Sequence, residues 1–237
     1  MSSLRGRAVP LVMLSCLVLA GCSSSGTQSG GGSAGKNGAS AASPSGSAPA
    51  AGSVGEIPVG AGPQKTYTVQ QQPPAGSCHY RYEGGEPLPD MKCTPGAVSP
   101  AVTQANLAQT ICRKGGYTKD IRPPAAITGK EKKLNAASYG YTGSLGDAEY
   151  DHDISLQLGG DPNDARNLWV EPADPGHKAG TVNNLKDPVE TKLHTAVCSG
   201  KVTLKAAQQA IVTDWTTALS KLGLLVPLCQ TCSPGTD

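Results

Sequence analysis

Apolar and polar positions along the chain fall into blocks of different period. The first block is an apolar run from Ala8 to Ala20 behind Arg5 and Arg7. A charged start and a short apolar stretch make the pattern of a secretory signal. The next block has almost no apolar pattern: 33 of the 41 residues 23–63 are Gly, Ser, Ala or Pro. Such a composition cannot bury enough apolar surface to offset ordering entropy, so a disordered linker with Pro-stiffened stretches is predicted. Beyond it, residues 66–92 read as extended, with alternation in Tyr67-Thr68-Val69 and His79-Tyr80-Arg81-Tyr82. Val102, Ala105, Leu107, Ala108 and Ile111 recur at helical spacing after Ser99-Pro100, which predicts a helix from Val102 to Arg113. A short helix is predicted over Lys130 to Ser138. Residues 153–158 and 167–171 read as two strands joined by the turn-rich Gly159-Gly160-Asp161-Pro162-Asn163-Asp164. Asp187-Pro188-Val189-Glu190 has the order of a helix start, with Asp as cap, for a helix to about Cys198. A last helix follows Thr203, with Leu204, Ala207, Ile211, Trp215 and Leu219 on one stripe.

The 237 residues thus divide into a signal at 1–21 and a linker at 22–63. An extended segment with a first helix follows at 64–110, then the remaining domain with its C-terminal helix and Cys-x-x-Cys tail at 111–237. About 170 residues are left to fold, enough for one core. Phe is absent, so the core is built from Leu, Val, Ile and Ala with Trp169 and Trp215 as anchors. From residue 64 onward 17 Lys and Arg face 17 Asp and Glu. That balance excludes a strongly basic nucleic-acid coat and leaves room only for a local basic patch. The Lys130-Glu131-Lys132-Lys133 run reads as a solvated helix face. No run of eighteen apolar residues is present, so no ordinary transmembrane helix is predicted.

Cysteine usage points to export. Leu19-Ala20-Gly21-Cys22 resembles a bacterial lipobox. That resemblance implies cleavage before Cys22, lipidation of Cys22 and attachment of an exported domain to a membrane of the cell envelope. Cys16 lies in the signal. Six cysteines remain, Cys78, Cys93, Cys112, Cys198, Cys229 and Cys232, and three disulfides are expected among fifteen pairings. Cys112 with Cys198, each near a predicted helix end, and the local pairs Cys78–Cys93 and Cys229–Cys232 are the favoured set. Half a zinc site at Cys229-x-x-Cys232 is disfavoured because no second Cys-x-x-Cys exists. A thiol-redox role for that pair lacks its usual βαβ setting.

The densest polar cluster spans residues 147–187. Asp151-His152, Asn167 and Asn183-Asn184-Leu185-Lys186-Asp187 are placed on a strand, a loop, a strand and a helix start. Asp and Asn oxygens suit a hard cation such as Mg²⁺, and a neutral His beside them can take a proton from water. Here "YDHDISLQLGG", "NLWVEP" and "NNLKD" resemble the HNH nucleases of the His-Me finger, or ββα-metal, superfamily. The wider segments "CTPGAVSPAVTQANLAQTIC", "GYTKDIRPP" and "LHTAVCSGKVTLKAAQQAIVTDW" look like exported bacterial HNH-like proteins, and the resemblance covers about 78–222.

The resemblance implies an α+β domain whose ββα-metal element is surrounded by helices and stapled by disulfides. It implies His152 as general base, Asp151 as metal ligand and Asn167 as the brace of the hairpin loop. Asn183 or Asn184 would be the second ligand, and Lys186 and Arg166 phosphate contacts. One divalent ion, Mg²⁺ or another, would serve cleavage of a nucleic acid, with no nucleotide cofactor. DNA or RNA as substrate and the oligomeric state are left open. Three features depart from the pattern. Asp153 stands where an apolar residue is usual, the stretch from Asn167 to Asn183 is long, and flanking zinc-binding cysteine pairs are missing. The alternative is a non-catalytic surface binding or structural module on the same scaffold. Of the other histidines, His177 reads as a solvated loop residue, His194 as a packed or capping histidine, and His79 carries no signal. Asn163 and Asp164 fit a turn.

Overall fold

In the computed structural model, residues 55–174, 178, 180 and 184–225 are described. The signal, Cys22, residues 23–54, His177, Asn183 and the Cys229–Cys232 pair lie outside the described residues. The architecture is α+β. Two short antiparallel hairpins, β1 (Arg81–Glu83) with β2 (Glu86–Leu88) and β3 (Ala148–His152) with β4 (Leu168–Pro172), are set among α1 (Ala125–Ser138), α2 (Lys186–Cys198), α3 (Leu204–Thr213) and α4 (Ala218–Lys221). No helix of the described residues is long and apolar enough to cross a membrane. Cys78–Cys93 and Cys112–Cys198 are disulfide-bonded, as the cysteine spacing predicts.

The main core lies between α2, α3 and the loop after β3. Ile154, Leu158, Leu193, Val197, Ile211 and Trp215 pack there. Thr203 caps α3 by accepting a hydrogen bond from the Ala206 amide at 3.2 Å. The predicted stripe is cut after Thr213. Asp214 takes the Thr216 amide at 3.0 Å, so Trp215 and Leu219 reach the core from a turn and from α4 rather than from one continuous helix. A second cluster joins Cys78, Tyr139 and Trp169, with Tyr80 against them.

Helix α1 starts five residues before the predicted Lys130 and buries a polar stripe, Glu131, Asn135 and Ser138, at i, i+4 and i+7. These side chains serve neighbouring backbone. Glu131 accepts from the Gln70 amide at 2.7 Å, Asn135 from the Val170 amide at 2.8 Å, and Ser138 donates to the Pro73 carbonyl at 2.5 Å. Lys132 donates to the Leu145 and Ala148 carbonyls. The Lys130–Lys133 run is therefore not a wholly solvated face.

Four further expectations are corrected. The Val102–Arg113 segment contains a 3-10 turn over Gln104–Gln109 rather than an α-helix. The first strand of the central hairpin is 148–152, not 153–158. Residues 153–158, mostly buried, belong to the loop, because the Asp153 and Ile154 backbone bonds to Asn167 and Leu156–Leu158 form a 3-10 turn instead of pairing with a strand. Helix α2 begins at Lys186 with Leu185 in the cap position, so Asp187 lies inside the first turn and is no cap. The folded part begins before residue 64: the Gly60 amide donates to the Val98 carbonyl and the Gly62 amide to Asp161.

Gly160 sits where the loop backbone doubles back, and a Cβ there would overlap the Ile154 carbonyl. Exposed Gly129, inside α1, has open space around it. In urea denaturation Gly160→Ala is expected to cost more than about 2 kcal/mol through that overlap. Gly129→Ala is expected to stabilise by roughly 0.5–1 kcal/mol through helix propensity.

Candidate active site

Alternation along β3 sends its side chains to two faces. Tyr150 packs with Ala136 and Val170 on the α1 side, whereas Asp151 meets Lys186 of α2. His152, the last residue of β3, is buried, and its Nε2 lies 3.1 Å from the Pro162 carbonyl. A carbonyl only accepts, so Nε2 carries the proton and Nδ1 keeps its lone pair. Burial, aided by the charges of Arg122 and Lys186, pushes the imidazole down to about 4 despite Asp151 beside it. The ring is neutral at physiological pH.

The loop that carries Pro162 is stitched together by Asn167. Its Oδ1 accepts from the Ile154 amide at 3.0 Å and the Ala97 amide at 3.3 Å. Its Nδ2 donates to the Ile154 and Asp161 carbonyls at 3.0 and 2.9 Å. Asp161 closes the turn by accepting from the Asn163 and Asp164 amides, and Asn163 donates to the Thr68 carbonyl. Asn163 is thus a buried tie as well as a turn residue.

Across the hairpin, Lys186 is 1% exposed and sits among carboxylates. Its ammonium donates to Asp151 at 2.6 Å, Glu190 at 2.5 Å and the His152 carbonyl at 2.8 Å. An ammonium has three donors and no acceptor. With all three engaged and buried, Lys186 has none left for a phosphate, which corrects its expected role. Burial pushes Asp151 up, but the adjoining ammonium outweighs burial and holds it below the usual carboxylate range. Its neighbours go the other way. Burial pushes Asp153 up to about 8 and Glu190 up to about 7, and it raises Glu171 well above normal with help from Asp151. Asp153 is fully buried beneath the site rather than facing solvent.

On the same side Asn184 is 6% exposed; its Nδ2 faces Glu149 at 3.4 Å, and its Oδ1 has no hydrogen-bond partner among the described residues. Burial and the neighbouring Asp151 and Asp187 push Glu149 up to about 7. Asp187 is raised by burial and by Asp151. Asp151, Asn184 and Glu149 therefore present hard oxygens in one region, of the kind that hold Mg²⁺. Glu149 escaped sequence reasoning, although its i, i+2 spacing to Asp151 on a strand was a usable signal. Arg166, expected at a phosphate, is folded back on Asp164 at 2.5 and 2.9 Å and onto the Val59 carbonyl, which corrects that expectation too.

A separate group lies at the far end of α2. Cys112, His194 and Cys198 have their ligand atoms within 4.8 Å of one another and could bind a metal ion when the Cys112–Cys198 disulfide is open. His194 Nε2 lies 2.9 Å from the Ile111 carbonyl and 3.3 Å from the Cys198 sulfur. It is packed as expected, with a ligand set around it that its sequence position did not announce. No family model, curated protein or solved structure matches the chain.

Two predictions follow from the charge arrangement. Lys186→Met strands Asp151 and Glu190 without their cation and is expected to cost about 3–5 kcal/mol in urea denaturation. The second concerns pH. Asp153, Glu149 and Glu190 rise from 3.8, 4.5 and 4.5 to about 8, 7 and 7 on folding, so the folded chain holds protons that the unfolded chain has lost. Their contribution is full below pH 3.8 and is lost as pH rises through 7 to 8. His152 falls from 6.5 to about 4, so its contribution is full above 6.5 and is lost as pH falls toward 4. Above 6.5 only the carboxyls act. In EDTA, stability is expected to fall from about pH 6.5 to 8.5, and Asp153→Asn to flatten that fall.

Proposed function

We propose that this chain is an exported lipoprotein anchored through Cys22, whose β3–β4–α2 element is an HNH-type, metal-dependent phosphodiesterase acting on nucleic acid. The observation that carries the reading is the bond from His152 Nε2 to the Pro162 carbonyl. It fixes the tautomer in which Nδ1 accepts a proton from an attacking water. Asn167 positions the loop that supplies this carbonyl. The donor set fits a divalent cation: Asn184 offers a buried, unpartnered Oδ1, and Asp151 and Glu149 offer carboxylates. Asp151, Asn184 and Glu149 would hold that ion, which supplies charge stabilisation at the phosphoryl and leaving oxygens. The two disulfides agree with export, because such bonds persist in oxidising compartments.

The second reading, a binding module on a degenerate scaffold, is favoured by one observation. The Lys186 ammonium already sits on Asp151, so the carboxylate has a built-in cation.

The test is cleavage of plasmid and single-stranded DNA and of RNA by the full, oxidised chain in Mg²⁺, Mn²⁺ or EDTA. Metal-dependent cleavage is expected, and His152→Ala should slow it by about 10²–10⁴ through loss of the base. Asp151→Asn is the better ligand variant, since Asp151→Ala leaves Lys186 short of a partner and confounds activity with stability. Undiminished cleavage by His152→Ala sinks the assigned role. A folded chain that takes up no Mg²⁺ in calorimetry and cleaves nothing establishes the binding module.

A further inference from the structure

With Lys186 buried and Arg166 tied to Asp164, the site as described lacks the cation that a phosphodiester substrate requires. We propose that Arg122, on the approach to α1, is the side chain that grips the substrate phosphate at His152; this rests on the phosphodiesterase reading above.

Three hydrogen bonds link the segment that carries Arg122 to the loop over His152. Tyr67 donates to the carbonyl of Ile121, the residue before Arg122, at 2.7 Å. Thr68, next to Tyr67, accepts from Asn163 at 2.9 Å. Pro162, next to Asn163, holds His152 Nε2 at 3.1 Å. Helix α1, which covers the Tyr150 face of β3, begins three residues after Arg122. Arg122 itself is extended, with φ −71° and ψ 135°, between buried Ile121 and the rigid Pro123-Pro124 pair. Its backbone has little freedom, and its side chain is exposed.

Among the described residues no hydrogen bond or ion pair engages the guanidinium, whereas Arg113 and Arg166 are each tied to an aspartate. Its charge is nevertheless felt at three points of the site, His152, Glu149 and Asp187. A guanidinium offers five donors in a planar fork that matches two phosphate oxygens. From residue 64 onward 17 cationic side chains face 17 anionic ones, so a phosphate grip here rests on a local cation rather than on a strongly basic coat.

The probe is inorganic phosphate, titrated at fixed pH in EDTA into the full oxidised chain. The readouts are the His152 imidazole NMR signals and calorimetry. Phosphate is expected to move the His152 signals. Arg122→Ala should weaken binding at least about tenfold, Arg122→Lys should lie between it and wild type because a point charge replaces the fork, and the charge-matched Lys205→Ala should bind as wild type. Arg122 is exposed and, among the described residues, unpaired, so its removal leaves the fold in place. The proposal is overturned if phosphate leaves the wild-type His152 signals unmoved, or if Arg122→Ala binds phosphate as wild type does. Failure of the cleavage test in a chain that still needs Arg122 for phosphate would overturn the nuclease reading alone. Metal-dependent cleavage with phosphate binding indifferent to Arg122 would overturn this inference alone.

Discussion

A buried ammonium is tolerable only where carboxylates and carbonyls replace its water, and Lys186 makes that requirement the organising constraint of the site. Its three partners come from both sides of the hairpin–helix junction: Asp151 and the His152 carbonyl from β3, and Glu190 from one turn along α2. The helix can neither slide nor rotate against the strand without separating charges that no longer see solvent. That fixes where Asn184, just ahead of α2, stands relative to Glu149 and Asp151. One cation does not balance the acids around it. Asp151 stays ionised beside it, while Asp153, Glu171 and Glu190 are pushed up by burial and by the charge on Asp151.

The strand then separates two kinds of chemistry by its pleat. On the α2 side are hard oxygen donors at raised or strongly paired carboxyls. On the α1 side is a neutral imidazole whose protonated nitrogen is fixed by the Pro162 carbonyl. Adjacent residues in sequence, Asp151 and His152, therefore belong to different surroundings while remaining within one peptide unit of each other. Asn167 makes this arrangement possible from the far end of the loop. It replaces a strand partner for Ile154 with a side-chain amide, satisfying buried backbone donors and acceptors that would otherwise be orphaned.

What was legible in the sequence follows from which rules a segment obeys. The two disulfides, the Trp anchors and α3 depend on spacing and amphipathicity, and they were readable. Helix α1 was half readable, because its buried stripe of Glu131, Asn135 and Ser138 is polar and reads as solvent-facing in any hydrophobic pattern. Residues 153–158 alternate like a strand because Ile154, Leu156 and Leu158 are core residues, yet the backbone is held by Asn167 and by Gly160 rather than by a ladder. Asp151, His152, Asn167 and Asn184 were named from the sequence: the first two end β3, Asn167 ties the loop that follows, and Asn184 faces Glu149 of the same strand. Lys186 and Arg166 were misread for one reason: a cation's availability depends on which acids fold onto it, and Asp151, Glu190 and Asp164 reveal that only in three dimensions.

The same charge surplus bears on whether Lys186 forecloses a metal at Asp151. The ammonium uses Oδ2, and a carboxylate offers about four lone-pair positions, so occupancy by one donor does not exhaust it. Repulsion between Lys186 and a divalent ion is opposed by Glu149, Asp187 and Glu171. All three are raised, by burial and by Asp151, and Glu149, pushed up to about 7, would release its proton as a cation arrived. The cost of such binding would then fall in part on the proton held by Glu149 rather than on the Lys186 pair that holds the helix in place. A divalent ion bound as proposed would leave the Lys186 pair in place, and its affinity would rise with pH as Glu149, pushed up to about 7, ionises.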